Sequence, residues 1–162
     1  MPAITSYIAC DRKTAWRSAG LATRPQLDAQ RAWLLALIDL LKVRSRTIDD
    51  IVRQAIPYLA EHVSYDPEAV AKQWKDRPAT LDLLSSVRDT LAAVDTWEPP
   101  KMEEALRMQA ERRGVGAGKL FQPLRVALTG LSVSAGIFDV LALLGRDRAL
   151  ARIDDAVEFL RA

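Results

Sequence analysis

An all-α fold follows from two features of this 162-residue sequence: apolar residues return at three- and four-residue steps, and the alternation that marks strands is absent. Capping residues, prolines and glycines at the edges of the periodic stretches set the boundaries. Residues 1–25 carry Arg12, Lys13, Arg17 and Arg24 around Trp16, with Gly20 placed to end a short helix. From Asp28 as N-cap, Trp33, Leu34, Leu37, Ile38 and Leu41 mark one face of a helix running to about Val43. Thr47 followed by Asp50 resembles a capping box, and Ile48, Ile51, Val52, Ala55 and Ile56 form the next stripe until Pro57 stops it. Asp66, Pro67 and Glu68 supply a capping acid, a proline that needs no N–H and an anion for the helix dipole, with Val70 and Trp74 inward. After Pro78, the set Leu81, Leu84, Val87, Leu91 and Val94 predicts a further helix, closed by Asp95 and Trp97.

The Pro99–Pro100 pair is the predicted boundary between two helical subdomains, 1–98 and 99–162. Beyond it, Glu103 and Glu104 stand early in a helix, Arg112 and Arg113 late, and Gly114 at C′. A turn bearing Gly114, Gly116 and Gly118 leads to a short helix over about Gln122–Leu128, with Pro123 in its first turn and Thr129–Gly130 as its end. Ser134 is placed to cap a helix bearing Ile137, Phe138, Leu141 and Leu144, closed by Gly145. Asp147 is placed to cap the last helix, with Leu150, Ile153, Val157 and Leu160 inward.

With 49% hydrophobic and 27% charged residues, the chain fits one domain or two small helical ones sharing a core, and is neither disordered nor fibrous. A single cysteine, Cys10, rules out an internal disulfide and fits a reducing compartment, so cytoplasm is the expected location. The longest uncharged run, Val126 to Phe138, falls short of the ~18 apolar residues of a membrane span, and no secretory signal opens the chain.

Catalytic constellations are hard to assemble. Gly114, Gly116, Gly118 and Lys119 suggest a phosphate loop, but the earlier glycine position holds Arg113 and the hydroxyl position holds Leu120. One His, His62, and one Cys exclude a His/Cys zinc cluster. The pairs Asp49–Asp50, Glu103–Glu104 and Asp154–Asp155 fall in helices, where neighbours point about 100° apart, and read as solvated charge. No metal site or cofactor site is expected.

The net charge of +2 selects no partner, yet 17 of the 23 basic residues are Arg, which suits planar and phosphate contacts. Residues 12–53 concentrate nine cations against four anions. Within them, Lys42, Arg44 and Arg46 crowd a helix end, where a role at the helix dipole and a phosphate or base contact are equally open. Arg125, beside an apolar run, is open to a base contact or to bonding helix-end carbonyls.

The segment Lys119-Leu-Phe-Gln-Pro-Leu-Arg-Val-Ala-Leu-Thr-Gly130, followed by Ile137-Phe-Asp-Val-Leu-Ala-Leu-Leu-Gly145, resembles the C-terminal anticodon-binding region of bacterial glutamyl-tRNA synthetases. Trp33-Leu-Leu with Leu40-Leu41, Val43-Arg-Ser-Arg-Thr-Ile48 and Tyr65-Asp-Pro-Glu-Ala-Val70 are similar to the helical subdomain that precedes it, so the likeness runs from about Trp16 to the end. It implies an upstream helical cage and a downstream bundle that grip the anticodon loop of the glutamate tRNA, with RNA rather than DNA or a membrane as partner. The class I catalytic domain, in cis or in trans, is the other implied partner; it binds ATP and carries signatures this sequence lacks, since Lys101-Met102 is followed by Glu103-Glu104. No catalysis is therefore expected of this chain alone.

By the same resemblance, Arg125 and the loop after Thr129–Gly130 touch the middle and third anticodon bases, with Ser134 at a small-hydroxyl position and Ile137 packing beside the third base. Ala135 departs from the Pro that relatives often have there, which bears on the stiffness of the loop. Arg44 or Arg46 matches the basic position near the first base. The physics is consistent: unstacked bases expose edges that a guanidinium fork and a hydroxyl read, above apolar side chains. The alternative is a free-standing helical paralogue that acts as a protein-interaction or regulatory module.

Overall fold

The computed structural model describes residues 31–162, so the expectations for residues 1–25, the Asp28 helix start and Cys10 lie outside the described residues. Among those described, eight α-helices and no strand are found, as the periodicity requires. The chain divides into two compact units, residues 1–61 and 62–162.

In the first unit α1 (Arg31–Lys42) packs on α2 (Ile48–Leu59). Leu37 and Leu41 are buried as expected, whereas Ile38 is exposed. Thr47 and Asp50 form the capping box: the Asp50 N–H donates to Thr47 Oγ1 at 3.1 Å and the Thr47 N–H to Asp50 Oδ2 at 3.0 Å. Contacts from the Thr47 hydroxyl, then from the Arg46 and Thr47 N–H groups, hold the Asp50 carboxyl below the ordinary carboxylate range. Pro57 does not stop α2, which continues to Leu59 and forgoes one hydrogen bond to an exposed turn. The buried line of α2 is Ala55 and Tyr58, so the expected stripe is rotated and Ile48, Val52 and Ile56 face outward.

The second unit comprises α3 (Pro67–Gln73), α4 (Arg77–Ala92), α5 (Pro99–Arg112), α6 (Ala117–Thr129), α7 (Ile137–Leu144) and α8 (Arg146–Arg161). Asp66 caps α3 and Asp76 caps α4, each followed by a proline in the first turn. Both Pro99 and Pro100 sit in the first turn of α5, and α4 packs directly on α5. The helices on either side of the proline pair thus pack on each other within the second compact unit. Gly114, at φ +64°, ends α5 with the paired bonds Gly114 N–H to Glu111 and Val115 N–H to Ala110, the left-handed cap expected of it.

Helix α6 occupies the centre and packs against α3, α4, α5, α7 and α8. It begins at Ala117, five residues before the expected start, so Gly118 lies in its first turn and Pro123 in its interior. The bond Pro123 forgoes is to Lys119, in a turn open to water. Leu120, Leu124, Val126, Ala127 and Leu128 are fully buried, with Leu84, Val87, Leu91, Leu106, Leu141, Ile153 and Ala156 from the surrounding helices. Caps at α7 and α8 also differ from expectation. Gly136 rather than Ser134 stands at the N-cap of α7, and Gly145, at φ +76°, both ends α7 and precedes α8, leaving Asp147 inside the first turn.

Two polar devices tie the helices. Arg152, only 2% exposed, donates from Nη1 to the Leu128 carbonyl at 2.6 Å. Tyr65, Trp74 and Phe159 form a tilted aromatic cluster with centroids 5.0 to 5.9 Å apart, and Trp74 donates from Nε1 to the Pro123 carbonyl at 3.3 Å. Burial, followed by the Asp155 charge and opposed by Arg152, pushes the Tyr65 hydroxyl up to about 12.

At Gly130, φ is +74° and a Cβ would lie 2.2 Å from the Ser64 carbonyl oxygen and 2.9 Å from Val63. Gly130→Ala is expected to destabilise the protein by at least about 2 kcal/mol, through left-handed strain plus the clash. Gly114→Ala, with open space around its Cβ, should cost only about 1 kcal/mol in the same denaturant titration. Because Tyr65 is neutral in both states below its unfolded value of 10, its contribution is fully present there. Stability should therefore fall as pH rises from 10 to about 12, and Tyr65→Phe should remove that component of the decline.

Candidate nucleic-acid interface

Arg125 sits one turn before the C-terminus of α6, half-buried. Its Nε donates to Ser134 Oγ at 3.0 Å, and its Nη1 donates to Gln122 Oε1 at 3.2 Å, one turn earlier on the same helix. The Ser134 hydroxyl in turn donates to the Ala135 carbonyl at 3.0 Å. A planar guanidinium is thus oriented by two side chains, and the helix-end carbonyl role open to it in the sequence is filled by Arg152 instead. Sequence reasoning did not single out Arg152; the one signal for it is its position beside Ile153 on the stripe that continues to Val157 and Leu160, and its partner follows from packing alone.

The loop between α6 and α7 is shaped from both ends. Thr129 Oγ1 donates to the Arg125 carbonyl at 2.9 Å and accepts from the Leu131 N–H at 3.3 Å, while the left-handed Gly130 reverses the chain. Ala135 and Ile137 are buried, so their side chains anchor the loop in the core. Outward stand Leu131 and Val133, the latter 78% exposed, beside the Arg125–Ser134 pair. Periodicity did not single these two out, because isolated apolar residues between glycines and serines fall on no helical stripe. The loop thus carries two exposed apolar side chains and, at Ser134, the hydroxyl that holds the Arg125 guanidinium.

In the first unit, Arg44 and Arg46 are exposed in the turn between α1 and α2, flanked by exposed Val43 and Ile48. Ser45 fixes this turn, donating from Oγ to the Leu41 carbonyl at 2.9 Å and accepting from Gln54 Nε2 at 3.0 Å. Lys42 instead pairs with Asp39 at 2.6 Å on the surface.

Each of the three carboxylate pairs contributes structural contacts. Asp50 caps α2, Glu103 holds Arg107, Glu104 holds Lys101, and Asp154 accepts from Arg88 at 3.0 Å. His62 is exposed, with Nδ1 at 3.4 Å from Asp155 Oδ2. Among the described residues no cluster of potential metal ligands is present, and no helix is long and apolar enough to cross a membrane.

A model of the anticodon binding domain family matches residues 15–157. Glutamate–tRNA ligase 2 of Rhizorhabdus wittichii is 43% identical over 137 residues, covering 85% of this chain and 28% of that protein. The glutamate–tRNA ligase of Roseiflexus castenholzii is 35% identical over 144 residues, covering 89% and 28%. Among solved structures, a glutamate tRNA ligase from Elizabethkingia meningosepticum superposes with a TM-score of 0.72 at 27% identity, over 80% of this chain and 25% of that one. The chain thus spans about 28% of the length of these relatives.

If the Arg125–Ser134 contact orders the guanidinium, a double-mutant cycle with Arg125→Ala and Ser134→Ala should give a coupling of about 1 kcal/mol in denaturant unfolding. Strict additivity would show that the pair does not hold together in solution.

Proposed function

Because the chain belongs to the anticodon-binding domain family, we propose that it holds the anticodon loop of a glutamate tRNA and supplies tRNA selection to a glutamate–tRNA ligase. The observation that carries this reading is the guanidinium of Arg125, oriented by Ser134 and Gln122 beside the exposed loop residues Leu131 and Val133. The guanidinium fork reads the edge of a middle or third anticodon base, the Ser134 hydroxyl and loop main chain add polar contacts, and Leu131 and Val133 lie against a base face. Ala135 and Ile137 act from the core by fixing the path of the loop.

Arg44 and Arg46, exposed on the first unit, meet the first anticodon base or its phosphate. The division of this labour between residues 1–98 and 99–162 belongs to the same proposal. Activation of glutamate with ATP is assigned to a class I catalytic domain acting in cis or in trans, and the cytoplasm is the compartment in which such a tRNA is met. Identity with full-length ligases over most of this chain supports the reading.

The test is fluorescence anisotropy with glutamate tRNA and with versions altered in the anticodon, over a salt series. Preference for the native anticodon is expected. Arg125→Ala should weaken binding by about 1 to 3 kcal/mol and relax discrimination at one base. Unchanged affinity and selectivity in that variant would remove Arg125 from the interface.

A further inference from the structure

A groove runs between the α3–α4 turn and the first turns of α6, lined by Lys75, Ala79, Leu83, Lys119, Gln122 and Pro123. Lys75 and Lys119 are exposed, and neither takes part in an ion pair. Asp76 lies in the same groove, but its Oδ1 accepts from the Ala79 N–H at 3.0 Å, directing its charge to the start of α4. Most other cations of this unit are already engaged: Arg77 on the Phe159 carbonyl, Arg88 on Asp154, Arg107 on Glu103 and Arg113 on Asp82. The groove also joins the proposed interface, since Gln122 lines it and accepts from Arg125 Nη1. Lys119 and Arg125 are separated by six residues of α6, about 9 Å of rise.

We infer that this groove holds the phosphodiester backbone of the same RNA strand whose bases meet Arg125 and Ser134, with Lys75 and Lys119 as its phosphate contacts. The inference rests on the anticodon-loop reading above. Two compact ammonium groups above an apolar floor contact phosphates without reading sequence, so the groove sets strand register and the Arg125 end sets specificity.

The test compares the full chain with Lys75→Gln/Lys119→Gln and with Lys101→Gln/Arg107→Gln, an equal loss of charge on α5. Binding to a glutamate tRNA anticodon stem-loop and to one with altered anticodon bases is followed from low to high salt. The groove variant is expected to lower the slope of log affinity against log salt by about two, weakening both RNAs equally and leaving the preference between them intact. A slope that falls no further than in the α5 control, while Arg125→Ala still relaxes selectivity, overturns the groove and leaves the anticodon reading standing. Absence of RNA binding by the unaltered chain at low salt overturns both. Circular dichroism of each variant establishes that the helices persist, which the exposure of both lysines leads one to expect.

Discussion

The last turn of α6 is the constraint on which the second unit depends. A helix end leaves carbonyls without intrahelical donors, and this one ends inside the core, with Leu128, Thr129 and Gly130 all buried. One carbonyl is met by the helix's own C-cap and two by donors from other parts of the chain. Val126 accepts from the Gly130 N–H at 2.8 Å, Leu128 from the Arg152 guanidinium, and Gly130 from the Asp66 N–H at 2.9 Å. One turn of backbone thereby fastens the segment before α3 and the middle of α8 to the central helix.

That arrangement explains why the exposed loop can be short and still ordered. Residues 62–66 approach so closely that no Cβ fits at Gly130, and the chain must leave α6 through a left-handed residue. Thr129 bridges the Arg125 carbonyl and the Leu131 N–H across the bend, and buried Ala135 and Ile137 seat the far end of the loop. Arg125 and Ser134, nine residues apart, then come within 3.0 Å. Contacts of this kind fix the loop and the guanidinium when the chain folds, so their conformational entropy is lost on folding.

Charge is used economically in the same unit. Arg77, Arg146 and Arg152 all donate to backbone carbonyls at helix ends or turns, Arg146 to Val94 and Asp95 while stacking over Trp97 at 5.4 Å. Such guanidinium groups serve the fold, since their forks match carbonyls that the helix dipoles leave negative. The basic composition therefore overstates the positive charge left free at the surface.

Local pattern alone made legible the all-α class, the Thr47 and Asp66 caps, the Gly114 and Gly130 helix ends and most of the buried stripe of α4, α7 and α8. These depend on contacts within three or four residues, where spacing and side-chain chemistry suffice. It also picked out Arg125 and Ser134, through the likeness of the surrounding segment to a known family. Packing settled that Ser134 orients a guanidinium instead of capping α7, that α2 runs through Pro57, that α6 starts early enough to put Pro123 in its interior and not its first turn, and that Arg152 is the buried carbonyl partner. It alone turned Ile48, Val52 and Ile56 outward, set the compact division at 61/62 and exposed Leu131 and Val133. Each of these turns on which face meets which neighbour, a long-range packing choice that local periodicity leaves undetermined.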